Sequence, residues 1–230
     1  MFLHGFLPSL LQGALVTLSV ALASLALAMV LGLAGAMAKL SRWRWAKALA
    51  YLYTTVVRGV PDLVLMLLIF FGGQVAVNNI AVALGHEDYI DIDPYLAGVL
   101  TIGFIFGAYL TEAFRGAFLA VPPGQREAGL AYGLSAWQVF HRVTFPQMFR
   151  HALPGLSNNW LVLIKSTAIV SVIGLSDLMT RGQQAAGTTR QPFDFYLAVA
   201  VIYLLFTSVS ELLFDRLQKR FSIGVRRGQL

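Results

Sequence analysis

Polar side chains interrupt a long apolar run of the sequence at residues 153–175. Five of them are candidates for binding a solute: Asn158, Asn159, Lys165, Ser166 and Thr167. Amide, ammonium and hydroxyl groups bind polar solutes, and such groups inside an apolar helix often mark a solute path. The alternative is structural, because Asn and Ser also form hydrogen bonds between helices and Lys165 can pair with a carboxylate of another helix. The residue types therefore indicate either a substrate path or a set of helix–helix contacts.

Two charged pairs form a second group of candidate functional residues. Arg58 and Asp62 are four positions apart, and Glu112 and Arg115 are three positions apart. Residues at these spacings lie on one face of a helix, where opposite charges attract. The spacing favours ordinary ion pairs, and the alternative is that one of the pairs belongs to a gate.

The sequence offers no arrangement for covalent or metal chemistry. Cysteine is absent, and the four histidines (His4, His86, His141 and His151) are scattered. A His-Glu-x-x-His motif and a Gly-x-x-x-x-Gly-Lys-Ser/Thr phosphate loop are also missing. We therefore expect a protein that is not an enzyme, and that binds no metal or cofactor itself.

The composition is typical of an integral membrane protein. The chain is 57% hydrophobic and only 12% charged, which is too apolar for a soluble domain. Five segments are uncharged enough to cross a bilayer as helices: residues 12–38, 63–84, 93–111, 153–175 and 195–214. We predict one all-α membrane domain over residues 1–230 with five transmembrane helices. Its net charge of +6 fits basic cytoplasmic loops better than a nucleic-acid partner.

The distribution of basic residues predicts the orientation of these spans. Fourteen of the 17 Lys and Arg residues follow span one, span three or span five. The loop at residues 78–93 contains four acidic residues and no basic one. By the positive-inside rule, the N-terminus lies outside and the C-terminus is cytoplasmic. The longest cytoplasmic loop is then residues 122–147.

This loop has the sequence of two short helices joined by a tight turn. Two consecutive prolines end the preceding helix, and a short helix follows at residues 125–132. Gly133 suits the left-handed residue that closes it. Ser135 and Gln138 match a capping box at the start of a second helix, which we expect Pro146 to end.

One face of that second helix is apolar. It carries Ala136, Val139, Phe140 and Val143, with Trp137 at its edge. Such a face can lie on the membrane or on the protein's own spans, or it can dock into a groove of a partner protein. Amphipathicity alone does not distinguish these alternatives.

The spacing of the loop resembles the EAA motif of ABC importer membrane subunits. That motif is Glu-Ala-Ala, three residues, Gly, nine residues, and then Ile-x-Leu-Pro. Here Glu127-Ala128-Gly129 precedes Gly133, and Val143-Thr144-Phe145-Pro146 follows at the same spacing. The departures are Gly129, Val143 and Phe145, and Gly129 weakens the first helix by up to ~1 kcal/mol relative to Ala.

Further stretches resemble the polar amino-acid branch of these importers. They include RGVPDLVLMLLIFFG, GAYLTEAFRGAFLAVPPGQ and ALPGLSNNWLVLIKSTAIVS. The likeness is greatest to the Q-type membrane subunits of importers for histidine, lysine, arginine and ornithine. Importers of arginine and ornithine only, or of the opines octopine and nopaline, are the alternatives. A self-contained carrier is a competing class, but five spans offer no even inverted repeat.

The resemblance implies a type I ABC importer fold in a bacterial inner membrane, with several partners. Two copies of an ATP-binding subunit would hold ATP and Mg²⁺ and contact the loop. A sister permease subunit would complete the path, and a periplasmic amino-acid-binding protein would deliver the substrate. The implied coupling residues are Glu127, Ala128, Gly129, Gly133, Ala136, Trp137, Phe140 and Pro146.

The resemblance also bears on Lys165. Many relatives have an acidic residue after this lysine, whereas this chain has Ser166. We therefore expect the carboxylate that faces a substrate's cationic side chain to come from the sister subunit. Lys165 itself would meet a substrate carboxylate or close a structural ion pair.

Overall fold

The computed structural model describes residues 2–86 and 88–221, and its regular elements are helical. In this part of the chain, five helical stretches are long and apolar enough to cross a membrane. They are α1 (Leu7–Leu40), α3 (Asp62–Ala83), α4 (Pro94–Leu119), a composite stretch (Ala136–Ile173) and α9 (Pro192–Phe221). The predicted all-α class and the five predicted spans are confirmed.

The composite stretch consists of three helical types in succession. A single α-turn, α6 (Ala136–Val139), is followed by a π-helical segment (Phe140–Thr144). The long helix α7 (Phe145–Ser166) comes next, and a 3-10 segment (Thr167–Ile173) ends the stretch. Gly174 has φ of 91°, a left-handed conformation that terminates the helix at low cost only in glycine.

Two helices do not appear in the sequence-based prediction. The first is α2 (Arg44–Gly59), which lies between spans one and two. The second is α8 (Leu178–Thr189), which lies between spans four and five. Both are too polar to register as spans, yet each buries one apolar side. The loop that precedes α6 also contains a helix, α5 (Pro123–Ala131), as predicted.

The centre of the fold is the contact between α1 and α4. Glycines on both helices permit it: a Cβ on Gly32 would come within 2.7 Å of Leu110, and one on Gly103 within 2.6 Å of Leu27. Gly107 is equally tight against Leu31, at 2.8 Å. Without a hydrophobic force between helices in lipid, close backbone approach through small residues is the main source of packing energy.

Polar side chains fasten the helix ends and the outer helices. The Asp93 carboxylate caps α4 by accepting a hydrogen bond from the Leu96 amide at 2.8 Å, as predicted. Trp160 on α7 donates its indole N–H to Ser210 on α9 at 2.8 Å. Asp177 caps α8 by accepting from the Thr180 amide at 2.8 Å. Burial raises the pKa of the Asp177 carboxyl, and the bonds from Thr180 act in the opposite direction.

Candidate functional site

The turn between α5 and α6 is built by backbone hydrogen bonds around Gly133. This glycine has φ of 80°. Its amide donates to the Leu130 carbonyl at 3.0 Å, and the Leu134 amide donates to the Gly129 carbonyl at 3.1 Å. Together these two bonds form a Schellman motif, which satisfies carbonyls that α5 leaves unpaired. The predicted role of Gly133 as the left-handed closing residue is confirmed.

The start of α6 is also fixed as the sequence predicts. The Ser135 hydroxyl accepts from the Gln138 amide at 3.3 Å, and the Gln138 side-chain carbonyl accepts from the Ser135 amide at 2.9 Å. This is a complete capping box. The bend between α5 and α6 is therefore fixed by its own local bonds.

The expectation that Pro146 ends the second helix is wrong. The chain stays helical through this residue, which lies in the first turn of α7. The π-helical segment just before it explains why, since the Phe145 amide donates back to Phe140 over the wider π spacing. The wider turn accommodates a residue that has no N–H to donate. We define the hairpin as α5, α6 and the π-helical segment (residues 123–144). Its second arm, from Ala136, and the fourth span form one continuous helical rod, which contains Pro154 in its interior.

Gly129 has a packing role that its sequence motif does not reveal. It is buried on α5, where a Cβ would come within 2.9 Å of Val139 on α6. Val139 itself is only 2% exposed. Glycine in place of the second Ala of the EAA pattern therefore leaves room for the β-branched Val139, and the two short helices pack closely at this point.

The exposed surface of the hairpin differs from the predicted docking face. Trp137 is 70% exposed, and Ala136, Glu127 and Ala128 are exposed beside it. Tyr132, which the sequence analysis missed, is 90% exposed.

The other three apolar residues of the predicted face are less exposed. Val139 is buried, and Phe140 and Val143 are half-buried. Phe140 stacks on Phe118 at the end of α4, with a ring-centroid distance of 6.4 Å. We define the hairpin surface as Glu127, Ala128, Tyr132, Ala136 and Trp137. Below this surface, the hairpin contacts the end of α4 through the Phe118–Phe140 pair.

A polar stripe follows one exposed side of α7. It consists of His151, Asn158 and Lys165, all three exposed in the chain. Consecutive members are seven residues apart, which places them on one helical face and about 10 Å apart along the axis. Among the described residues, no carboxylate lies within salt-bridge distance of Lys165. The stripe is therefore available to a ligand or to another subunit.

The remaining polar residues of this span are turned away from the stripe. Asn159 is half-buried and donates to the Gly155 carbonyl of its own helix at 2.8 Å. Ser166 is half-buried. Thr167 is 1% exposed, and its hydroxyl donates to the Ile164 carbonyl at 2.7 Å. The five candidates of the sequence analysis thus separate into two exposed residues and three packed ones.

A buried cation organises the ion pairs near the ends of α1, α2 and α4. Lys39 is 4% exposed, and its ammonium group pairs with Glu112. It also donates to the Thr54 hydroxyl at 2.6 Å. Arg115 binds the other carboxylate oxygen of Glu112 at 2.9 Å, so the predicted Glu112–Arg115 pair is present. The sequence analysis missed Lys39 because its partner is distant along the chain.

The predicted Arg58–Asp62 ion pair is not among the salt bridges of the described residues. The helix break at Val60-Pro61 separates the two residues onto α2 and α3, so helical spacing does not apply. The Arg58 guanidinium lies 5.5 Å from the ring centroid of Tyr109. Arg58, Tyr109, Lys39 and Glu112 line one open polar cavity of about 450 Å³.

No cluster of three or more His, Asp or Glu side chains that could hold a metal ion occurs within the described ranges. The site therefore consists of three parts. They are the hairpin surface, the polar stripe of α7, and the Lys39 network, which we define as Lys39, Thr54, Glu112 and Arg115. A helix rod joins the first two, and α4 joins the first and third.

This combination of fold and site defines a membrane subunit of a binding-protein-dependent transporter. Residues 28–223 match the family described as binding-protein-dependent transport system inner membrane component, and the chain belongs to that family. HisQ of Escherichia coli (strain K12), a histidine/lysine/arginine/ornithine transport system permease protein, is 53% identical over 99% of this chain and 100% of its own.

Further comparisons agree with this family. The octopine transport system permease protein OccQ of Rhizobium radiobacter is 41% identical, and the match covers 98% of each chain. A crystal structure of an amino acid ABC transporter with histidines has a TM-score of 0.78 and 31% identity, over 94% of this chain and 95% of the other. The predicted family and its fold are confirmed.

The Lys39 network predicts an asymmetry between two substitutions. Glu112→Gln leaves the buried ammonium without its counter-charge, and we expect it to lower the free energy of unfolding by about 3 kcal/mol. Lys39→Met removes the buried charge and leaves the Glu112–Arg115 pair intact, so its effect should be less than half as large. Thermal unfolding of the purified protein measures both, and equal shifts in the unfolding midpoint would contradict the assignment.

Proposed function

We propose that this chain is the permease subunit of an ATP-driven importer for basic amino acids of the histidine, lysine, arginine and ornithine type. The observation that carries the proposal is the 53% identity to HisQ across the full length of both chains. The chain forms half of the translocation path. A separate subunit binds and hydrolyses ATP, and the hairpin conveys its movement to the spans.

The hairpin surface supports the coupling role. Aromatic side chains are enriched at protein–protein interfaces, and Trp137 and Tyr132 project from a bend that local bonds hold rigid. The acidic side chain of Glu127 is exposed on the same surface. These features suit insertion into a groove of an ATPase subunit. A rigid hairpin is needed there, because it must transmit the movement of the ATPase subunit to the spans.

The polar stripe of α7 supports a role in the path. Lys165 lies twelve residues past the start of the predicted span at residue 153, which is roughly 18 Å at the rise of an α-helix and near the middle of a hydrocarbon core about 30 Å thick. Asn158 precedes it by two turns. An ammonium group facing lipid at such a depth is costly. We infer that this face lies against water or the sister permease, and that Lys165 meets the carboxylate group that every amino acid carries.

The remaining parts of the assembly follow from the same role. We propose two ATP-binding subunits carrying ATP and Mg²⁺, a homologous sister permease and a periplasmic amino-acid-binding protein. The protein would be located in the bacterial inner membrane, with its N-terminus outside and the hairpin in the cytoplasm. That orientation places the hairpin on the side where ATP is available.

Uptake by the reconstituted assembly tests the substrate class. Proteoliposomes containing this chain, its sister permease, the ATPase and the binding protein should import labelled histidine and arginine when ATP is enclosed. This chain alone should import neither, because it has no source of energy. Unlabelled octopine, added as a competitor, distinguishes the alternative suggested by OccQ. Stronger inhibition of labelled arginine uptake by octopine than by unlabelled arginine, or uptake by the chain alone, would contradict the proposal.

The hairpin turn predicts a specific loss of coupling. Gly133→Val places a β-branched residue at positive φ, which costs at least about 1–2 kcal/mol. Since ~1.4 kcal/mol corresponds to a factor of ten, we expect substrate-stimulated ATP hydrolysis to fall about tenfold or more. The matched control is Gly124→Val, because Gly124 has open space around it and no positive φ. Normal coupling in the Gly133 variant would show that the turn is not required.

The polar stripe predicts a role for charge at position 165. Lys165→Ala should reduce transport about tenfold with the assembly intact, because hydrogen bonds to charged groups contribute about 1.5–3 kcal/mol. Lys165→Arg should retain more transport than Lys165→Ala. Val162→Ala, an exposed apolar position on the same helix, is the control for truncation alone. Undiminished transport in Lys165→Ala would remove this residue from the path.

A further inference from the structure

A row of packed aromatic rings joins the hairpin to the end of the fifth span. Phe145 lies between Phe140 and Phe149, with ring-centroid distances of 6.0 and 6.4 Å. Phe149 in turn packs on Phe221, the last residue of α9, at 5.3 Å. We call these four residues the aromatic ladder. Phe140 also stacks on Trp137 of the hairpin surface at 5.9 Å, so the ladder begins where a partner can reach it.

A second contact holds α9 against α7. The Trp160 indole N–H donates to the Ser210 hydroxyl at 2.8 Å. Trp160 follows Phe149 by eleven residues, and Ser210 precedes Phe221 by eleven residues, so the two helices are antiparallel and are attached at points roughly 16 Å apart. These attachments lie on either side of Pro154, the interior proline of α7. The helix α9 therefore bridges the part of α7 that bends most easily.

The other end of α9 packs closely on α8. Val199 of α9 is 4% exposed, and a Cβ on Gly182 of α8 would come within 2.5 Å of it. The helix α8 is also held to α1, because Arg181 donates to the Gln12 side chain at 3.0 Å. Since α8 contacts both α1 and α9, a shift of α9 relative to α1 would change the position of α8.

We propose that α9 is a strut that transmits movement of the hairpin to α8, with Phe149 and Phe221 as its positioning residues. The proposal rests on the coupling role proposed for the hairpin, and it extends that role to the opposite surface of the protein. In the orientation proposed above, α8 faces the binding protein with the exposed polar residues Gln183, Gln184 and Thr188. Events at the hairpin and at α8 are then linked, and such linkage acts in both directions.

ATP hydrolysis by the reconstituted assembly tests the ladder. The measured quantity is the ratio of hydrolysis with the substrate-loaded binding protein to hydrolysis without it, which does not depend on how much protein assembles. Phe149→Leu should lower this ratio about two- to tenfold, the factor that corresponds to the energy of one aromatic pair. Phe149→Tyr keeps the ring and should retain most of the ratio. Phe71→Leu, at a 54% exposed position on α3, is the matched control and should leave the ratio unchanged.

The absence of cysteine from the chain permits a rescue experiment. The double variant Phe149→Cys, Phe221→Cys should lower the ratio in its reduced form. A short thiol crosslinker between the two cysteines replaces the lost ring contact and should restore at least half of the ratio. A crosslinked pair that stays uncoupled would overturn the proposal, as would an undiminished ratio in Phe149→Leu.

A second pair of variants tests the contact of α9 with α8. Gly182→Ala places a methyl group against Val199 and should lower the ratio, and the added change Val199→Ala removes the clash and should restore it. A normal ratio in Gly182→Ala would show that α8 does not receive the movement. The same assay separates the strut from the importer function. No stimulation in the unchanged assembly would contradict the function, whereas normal stimulation there and in every variant would overturn the strut alone.

Discussion

Close backbone contact between α1 and α4 is the constraint on which the rest of this structure depends. Gly32 on α1 and Gly103 and Gly107 on α4 each face a large side chain of the other helix, at distances that exclude a Cβ. In a bilayer, where lipid tails are as apolar as leucine, such fit stabilises helices more than burial does. The pair forms the base on which the other helices pack, and Lys39 and Glu112 meet at its end.

The helix α4 connects the α1 contact to the hairpin. Its core face is fixed against α1, and its last turn carries Phe118, which stacks on Phe140 of the hairpin. Glu112 and Arg115 lie between these two contacts and gather charges from α1 and α4. A movement of the hairpin would therefore reach α4 through the Phe118–Phe140 stack and through the packing of α7 on α4.

Local sequence signals predicted much of this structure. The spans, the caps at Asp93 and Ser135 and the left-handed Gly133 follow from neighbouring residues, so a single sequence suffices. Contacts between residues on different elements cannot be predicted from neighbouring residues. Lys39 pairs with Glu112, which is 73 positions away, and the Cβ that Gly129 lacks would come too close to Val139. The amphipathic helices α2 and α8 were missed because each is too polar for a span. The prediction that Pro146 ends the helix was wrong because the π-turn before it accommodates a residue without an N–H.

The continuous rod from Ala136 to Ile173 has a mechanical consequence. A break at Pro146 would have made the hairpin a lever on a joint, able to tilt while α7 stayed still. With a helical backbone through Pro146, a movement at Trp137 passes directly into α7, and the interior Pro154, which has no N–H to donate, is the point in α7 where a bend costs least. Asn158 and Lys165 lie beyond that proline, so a tilt of the hairpin would reach them as a change in the direction of the helix axis.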